Sequence, residues 1–326
     1  MTSAGVDSFF NEPEGEVFRD QGRPVLVPRS VSPSAGIKVV YTRASSMAEY
    51  VSDSQHFHKW EMRGLARGLG IREDLAALAA SETYCSGLTN VPERGEKARS
   101  GRRLDAIVER AHDAVRWHEK ADYGTAFHAH TEPANNEPVS ERMQSDVASY
   151  DEVLRLLAAD VVATETFTAN DLTMSAGTLD HLMRIPHPLL DGLVITDKKT
   201  GRFMPHEWAI QLATYAYGEP YDIDTDARLD WPGVVNLEWG VVFRTPAQTG
   251  LTEVYAVDIR RGWEMAQHAA AVRDYQEDQS IAGPLKPATF AQMLDACHTK
   301  AALALLWKST EDLGHRATIV KKAGTL

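Results

Sequence analysis

The sequence predicts a mixed α/β fold: a central sheet of mixed strand direction flanked by helices, with a helical N-terminal region before it and C-terminal helices after it. Three observations carry this. Between about 150 and 260, the hydrophobic pattern runs helix, three strands, helix, two strands. Before and after that stretch, apolar residues recur mainly at helical spacing. Of the 326 residues, 43% are hydrophobic and 25% charged, which is the composition of a folded globular chain and not of a disordered one.

Residues 1–36 contain Pro13, Pro24, Pro28 and Pro33 and read as an arm, with a short strand at 25–27 and a firmer strand following at 37–41. Ser46 and Glu49 have capping-box spacing and are expected to open a helix reaching about Leu69. A second helix is expected over 73–80. Segment 92–103 is polar and holds Arg94, Lys97, Arg99, Arg102 and Arg103; 104–119 is helical, with Ile107, Val108, Ala111, Val115 and Trp117 as its apolar positions. Residues 37–120 thus form a mainly helical region, and 121–326 a sheet-containing core with its C-terminal helices. In the core, a helix starts at about Thr125, a polar loop follows, and a helix covers 150–158. Strands are expected at 161–168, 173–184 and 189–197, then a helix at 205–217 and strands at 234–244 and 252–259. Helices at 262–279 and 288–313 close the chain.

Net charge is −12, from 46 acidic against 34 basic residues. That balance disfavours a protein whose task is to coat nucleic acid, but suits an enzyme that gathers carboxylates around metal ions and meets its substrate through a local basic patch. Two cysteines, Cys85 and Cys297, are too few for a disulfide framework, a four-cysteine zinc site or a four-thiolate iron–sulfur cluster. No apolar run is long enough to cross a bilayer, and the acidic N-terminus lacks the form of a secretory signal. A soluble cytoplasmic protein without a membrane partner is expected.

Four local patterns carry chemistry. The string TDKKTGR at 196–202 ends an apolar strand, so Asp197 and Lys199 point to one face and Lys198 to the other. Lys199 is the only lysine in the chain with an acid two positions before it. Gly177-Thr178-Leu179-Asp180 lies on the preceding strand, seventeen residues before Asp197. If the strands pair, two carboxylates converge and need a cation between them; hard oxygen donors suit Mg²⁺ or Mn²⁺. A strand-end aspartate by itself more often caps a turn. His128, four residues after Gly124 at an expected helix start, is a third candidate ligand, with His130 and Glu132 as substitutes, although a lone histidine is more often a satisfied core residue. On the next helix Glu207, Gln211 and Tyr215 form one polar stripe.

In order, Gly-x-x-x-His, Gly-x-x-Asp, Asp-x-Lys-Thr and Gln-x-x-x-Tyr resemble the RecB-like branch of the PD-(D/E)XK nuclease superfamily over roughly residues 120–260. The stretch VVYTRASS at 39–46 is similar to phage-type relatives of the same nucleases. The resemblance implies a restriction-endonuclease-like core and a Mg²⁺- or Mn²⁺-dependent deoxyribonuclease, an exonuclease of recombination, repair or phage DNA processing that acts on linear ends. It implies that Asp180, Asp197, the backbone carbonyl of Lys198 and His128 bind metal, and that Lys199 orients or deprotonates the attacking water and offsets phosphate charge. Gln211 and Tyr215 would support the site or the DNA backbone, and Glu165 is a further acidic candidate. DNA would be held by the 94–103 cluster, Arg43, Arg184, Lys198 or Arg202. The iron–sulfur cluster of many relatives is ruled out, and no Walker-type motor motif is present. Oligomerisation and a recombination partner protein are compatible with this reading. Two alternatives stand beside it: a nuclease-fold protein that binds DNA or a partner without cutting, and a different metallohydrolase built on His128, His130 and carboxylates.

Overall fold

The structure, a computed structural model, describes residues 19–82 except 21 and 54, 94–282 except 133, 134 and 136, and 289–326. The first eighteen residues of the expected arm, Cys85, positions 92, 93 and 288, and the side chains of Arg94 and Lys97 lie outside the described set. The chain divides after Tyr275 into two compact units.

The strands in chain order are β1 (Arg19–Asp20), β2 (Arg23–Leu26), β3 (Val39–Val40), β4 (Thr42–Arg43), β5 (Asp160–Asn170), β6 (Ser175–Arg184), β7 (Val194–Lys199), β8 (Glu219–Asp222), β9 (Ala227–Arg228), β10 (Trp239–Arg244) and β11 (Glu253–Asp258). The helices are α1 (Gln55–Ile71), α2 (Glu73–Ser81), α3 (Arg94–Ala114), α4 (Glu119–His130), α5 (Gln144–Leu156), α6 (Pro205–Ala216), α7 (Ile259–Glu277), α8 (Phe290–Ala296), α9 (Lys300–Ser309) and α10 (Leu313–Ala323).

Among the described residues an eight-stranded mixed sheet has the order β11-β10-β7-β6-β5-β8-β9, with β4 joining β6 in parallel. The β7–β10 pair is also parallel and β5, β6 and β7 are antiparallel neighbours. This agrees with the expected mixed sheet between helices. Alternation along the strands separates two apolar layers. Leu182, Ile195 and Val242 pack with Leu212 and Trp208 of α6, while Met183, Val194 and Phe243 pack with Phe127 of α4 and Tyr150 of α5. Each fully buried side chain of this size contributes about 1.5–3 kcal/mol. The same period sends Asp197 toward α6 and Lys198 toward α4.

The turn between β10 and β11 is fastened from below. Asp146 of α5 is fully buried and accepts hydrogen bonds from the backbone N–H groups of Gln248 and Gly250, both at 2.6 Å, and from Tyr123 Oη at 2.6 Å. In the helical N-terminal region α1 packs on α3 at Gly68, where a Cβ would lie 2.0 Å from the Ala111 carbonyl oxygen. Only a glycine permits that backbone approach. In the second unit, Leu303, Leu306 and Ile319 form a small core with Cys297. No helix among the described residues is long and apolar enough to cross a membrane.

Several expected boundaries are corrected. Ser46 does not open a helix: Ala44–Tyr50 is a 3₁₀ helix and α1 begins separately at Gln55. The arginine-rich segment is helical from Arg94, because Ile107 and Ala111 of the same helix are buried against Leu75 and Ser100 hydrogen-bonds Glu82 at 2.8 Å. Gly124 lies inside α4, not at its start. The expected helix at 288–313 is two, since Thr299 caps a new helix by accepting from the Ala302 N–H. The β8–β9 hairpin, in a run of aspartates and Pro220, has no counterpart in the sequence reading.

Candidate functional site

Asp180 stands on β6 and Asp197 on β7, and one step beyond the His181↔Thr196 pair sets them opposite each other. On the other side of β6, Glu165 of β5 falls opposite Asp180, between the Thr164↔His181 and Thr166↔Leu179 pairs. Three carboxylates therefore share one level of the sheet. The strands are irregular here. Glu165 has φ 43°, in the left-handed region that a side chain seldom adopts, and Leu179 and Leu182 both enter the layer under α6 although three positions apart. Such an outlier costs about 1–3 kcal/mol and marks a place held by its surroundings.

The break leaves Asp180 able to reach α4. Its Oδ1 lies 3.3 Å from His128 Nδ1, and its Oδ2 accepts from the backbone N–H of Lys198 at 2.6 Å. The second ring nitrogen of His128 lies 2.9 Å from the Lys198 carbonyl oxygen. His128 thus faces two of the oxygens that the family resemblance implies as metal ligands. Gly124, one turn before it, allows this approach: a Cβ there would come within 3.1 Å of Thr200 Oγ1.

Asp197 is buried, and its Oδ2 lies 2.6 Å from Lys199 Nζ. That oxygen is closed to solvent, with the Lys199 ammonium as its partner. Oδ1 accepts from Gln211 Nε2 at 3.3 Å. The Gln211 amide also accepts from Lys199 Nζ at 3.1 Å and meets Tyr215 Oη at 3.1 Å. Gln211 and Tyr215 stand one turn apart on α6, so the polar stripe read from the sequence is the wall that holds Asp197 and Lys199. Tyr215 is buried, which places it behind the site and away from a DNA backbone.

Electrostatics separate the two aspartates. Burial disfavours the charge on both. At Asp180 the hydrogen bond and charge of His128, with Lys198, outweigh burial and lower the pKa. At Asp197 burial and the charge of Asp180 win over Lys199 and raise it. Burial would favour a neutral His128, but Asp180 raises its pKa; Lys199 is likewise raised, by Asp197 against burial. Glu165 reaches solvent, yet partial burial and the charges of Asp180 and Glu132 raise its pKa to about 7.

Lys198 requires a correction. It is fully buried on the opposite face, where its ammonium pairs with Glu132 and lies 3.4 Å from the His128 carbonyl oxygen. Glu132 also faces His181 Nε2 at 3.6 Å. The Lys198 side chain therefore cannot contact DNA, and Glu132 does not substitute for His128; the period of two on β7 accounts for both. His130 has a buried Nδ1 without a hydrogen bond. Of the other expected DNA contacts, Arg43, Arg99, Arg102 and Arg202 are exposed, Arg103 pairs with Glu82, and Arg184 lies 3.5 Å from Asp160. The Lys198–Glu132–His181 group was missed in the sequence because its partners are distant in the chain; only the alternation of Lys198 hinted that it needed a buried acid.

Asp180 and His128 form one set of contacts and Asp197, Lys199, Gln211 and Tyr215 another, and the pairing of β6 with β7 sets the two aspartates opposite each other. The donors fit a hard divalent cation, since the carboxylates supply oxygens, one of them buried beside a single ammonium. Among the described residues no group of three or more His, Cys, Asp or Glu side chains forms a ready metal cage. A cation held by the two aspartates would complete its shell with carbonyl and water oxygens, as Mg²⁺ commonly does. No protein-family model matches the chain, and no curated protein matches it.

Proposed function

We propose that the chain is a Mg²⁺- or Mn²⁺-dependent deoxyribonuclease with a PD-(D/E)XK core of the RecB-like kind, an exonuclease acting on linear DNA ends in recombination, repair or phage DNA processing. One observation carries the reading: Asp180 and Asp197 stand opposite each other on neighbouring strands, with the Lys199 ammonium of the second strand 2.6 Å from a buried Asp197 oxygen.

Asp180 and Asp197 would hold the cation, with the Lys198 carbonyl and His128 beside them. Bound there, it would supply a water of lowered pKa and charge stabilisation for phosphodiester hydrolysis. Lys199 remains outside the metal shell, where its ammonium orients the attacking water and offsets charge accumulating on the phosphate. Gln211 fixes the Lys199 amine and the Asp197 carboxylate at once, and Tyr215 fixes Gln211. Placing these groups on strands and two helices, not on loops, holds them within the small tolerance that catalysis demands.

Linear and circular DNA incubated with the protein and Mg²⁺, Mn²⁺ or EDTA test the reading. Metal-dependent loss of linear DNA alone supports an exonuclease. Failure to cut any DNA in either metal would leave the non-cleaving, DNA-binding reading in its place.

A further inference from the structure

Lys59, Arg63 and Arg67 follow one another at four-residue spacing on α1, so their side chains share one face at intervals of about 6 Å. All three are exposed, and none has an ion pair or hydrogen bond among the described residues. The only acid on the helix, Glu61, faces His58 Nδ1 at 3.8 Å. Like charges at this spacing oppose one another. The row stands in a chain whose net charge is −12.

The same helix exposes two aromatic rings. Phe57 is 57% exposed and Trp60 43%, with ring centroids 5.8 Å apart. Trp60 is backed by Trp117, stacked at a centroid distance of 3.4 Å, which keeps it in place. Arg63 follows Trp60 by one turn, so the cationic row adjoins the Trp60 ring, with Phe57 on the far side of that ring. The packing side, at Gly68, faces α3 and leaves Lys59, Arg63 and Arg67 outward, while Phe57 lies on the packing side at the start of the helix and is exposed there.

We propose that this face of α1 binds a single-stranded stretch of DNA, its phosphates along Lys59, Arg63 and Arg67 and a base against Phe57 and Trp60. Phosphates neutralise the row, and an aromatic pair beside cations is a stacking platform for unpaired bases, which a closed duplex does not offer. The choice of DNA rests on the nuclease reading; the surface itself does not.

Fluorescence anisotropy of a labelled oligothymidylate of roughly 16 nucleotides, in EDTA so that binding is read without cleavage, tests the proposal. Lys59→Ala, Arg63→Ala and Arg67→Ala together should weaken binding about a hundredfold at low salt and reduce the slope of log affinity against log salt by about 2. Phe57→Ala should weaken it about tenfold with that slope unchanged. Phe57 is chosen because Trp60 also packs on Trp117. Circular dichroism checks that α1 persists, and Gln at the three basic positions replaces Ala if it does not. Unchanged affinity in the triple variant overturns the proposal. Equal losses on a blunt duplex overturn the single-strand assignment, and tighter binding of an oligouridylate overturns the choice of DNA. A protein that cuts nothing in metal yet loses oligothymidylate binding through these substitutions supports the surface and overturns only the nuclease reading.

Discussion

Lys199 Nζ lies 2.6 Å from Asp197 Oδ2, while Lys198, between them in the chain, points through the sheet to Glu132. Two adjacent lysines thus have opposite surroundings. One keeps a solvent-facing edge beside a buried carboxylate; the other is sealed in the interior. The difference follows from a period of two on a strand covered on both faces.

Lys199→Ala should lower metal-dependent DNA cleavage about 10²–10³-fold, the effect of removing one preorganised donor, and leave DNA affinity in EDTA within about twofold. Product release from end-labelled DNA, alongside binding, measures both. Full activity in the variant would remove Lys199 from the site.

Metal should stabilise the fold, since a cation that binds only the native state adds about 2.7 kcal/mol at a hundredfold excess over its dissociation constant. Melting in Mg²⁺ or Mn²⁺ should rise by roughly 5 °C relative to EDTA. Asp197→Asn should abolish that rise. A variant that keeps the full shift would show that the ion binds elsewhere.

Lys198→Met should cost about 3 kcal/mol in urea unfolding, because it strands part of the Glu132 charge in the interior. The salt dependence of DNA affinity should not change. A reduced slope would place the Lys198 ammonium at the DNA after all.

Tyr123 and Tyr221 give an alkaline limit. Burial, with the hydrogen bond to Asp146, raises the Tyr123 pKa to about 12; burial and Asp226 raise Tyr221 to about 12 against the Val27 N–H. The unfolded value is about 10. Between these values the folded chain keeps protons that the unfolded chain sheds, so their contribution is complete below about pH 10 and is lost as pH rises toward about 12. Urea unfolding across that window should show falling stability in the wild type and a shallower fall in Tyr123→Phe and Tyr221→Phe.

The sequence revealed the parts of the site that obey a local period. Asp197 and Lys199 are two apart on a strand, and Gln211 and Tyr215 four apart on a helix, so each pair's common direction could be read without knowing the fold. His128, Asp180 and Asp197 required the further step of strand pairing, which their order along the chain suggested. What lay beyond reach depends on distant partners. Lys198 finds Glu132 only because α4 covers that face of β7, and the polar start of α3 is helical only because Ile107 and Ala111, further along, are buried. The left-handed backbone of Glu165 has no local signal in the Thr164–Thr166 run.

The buried Asp146 fixes the position of a surface turn, and through it the alignment of β10 with β7, where Val242 pairs with Asp197 and Arg244 with Lys199. A loop of this kind would ordinarily accept extra residues without harm. Here an insertion between Gln248 and Gly250 would pull on the carboxylate beneath, and a slip of one residue would exchange every inward side chain of the hairpin for an outward one. Tags, linkers and affinity handles are therefore better placed elsewhere on this molecule.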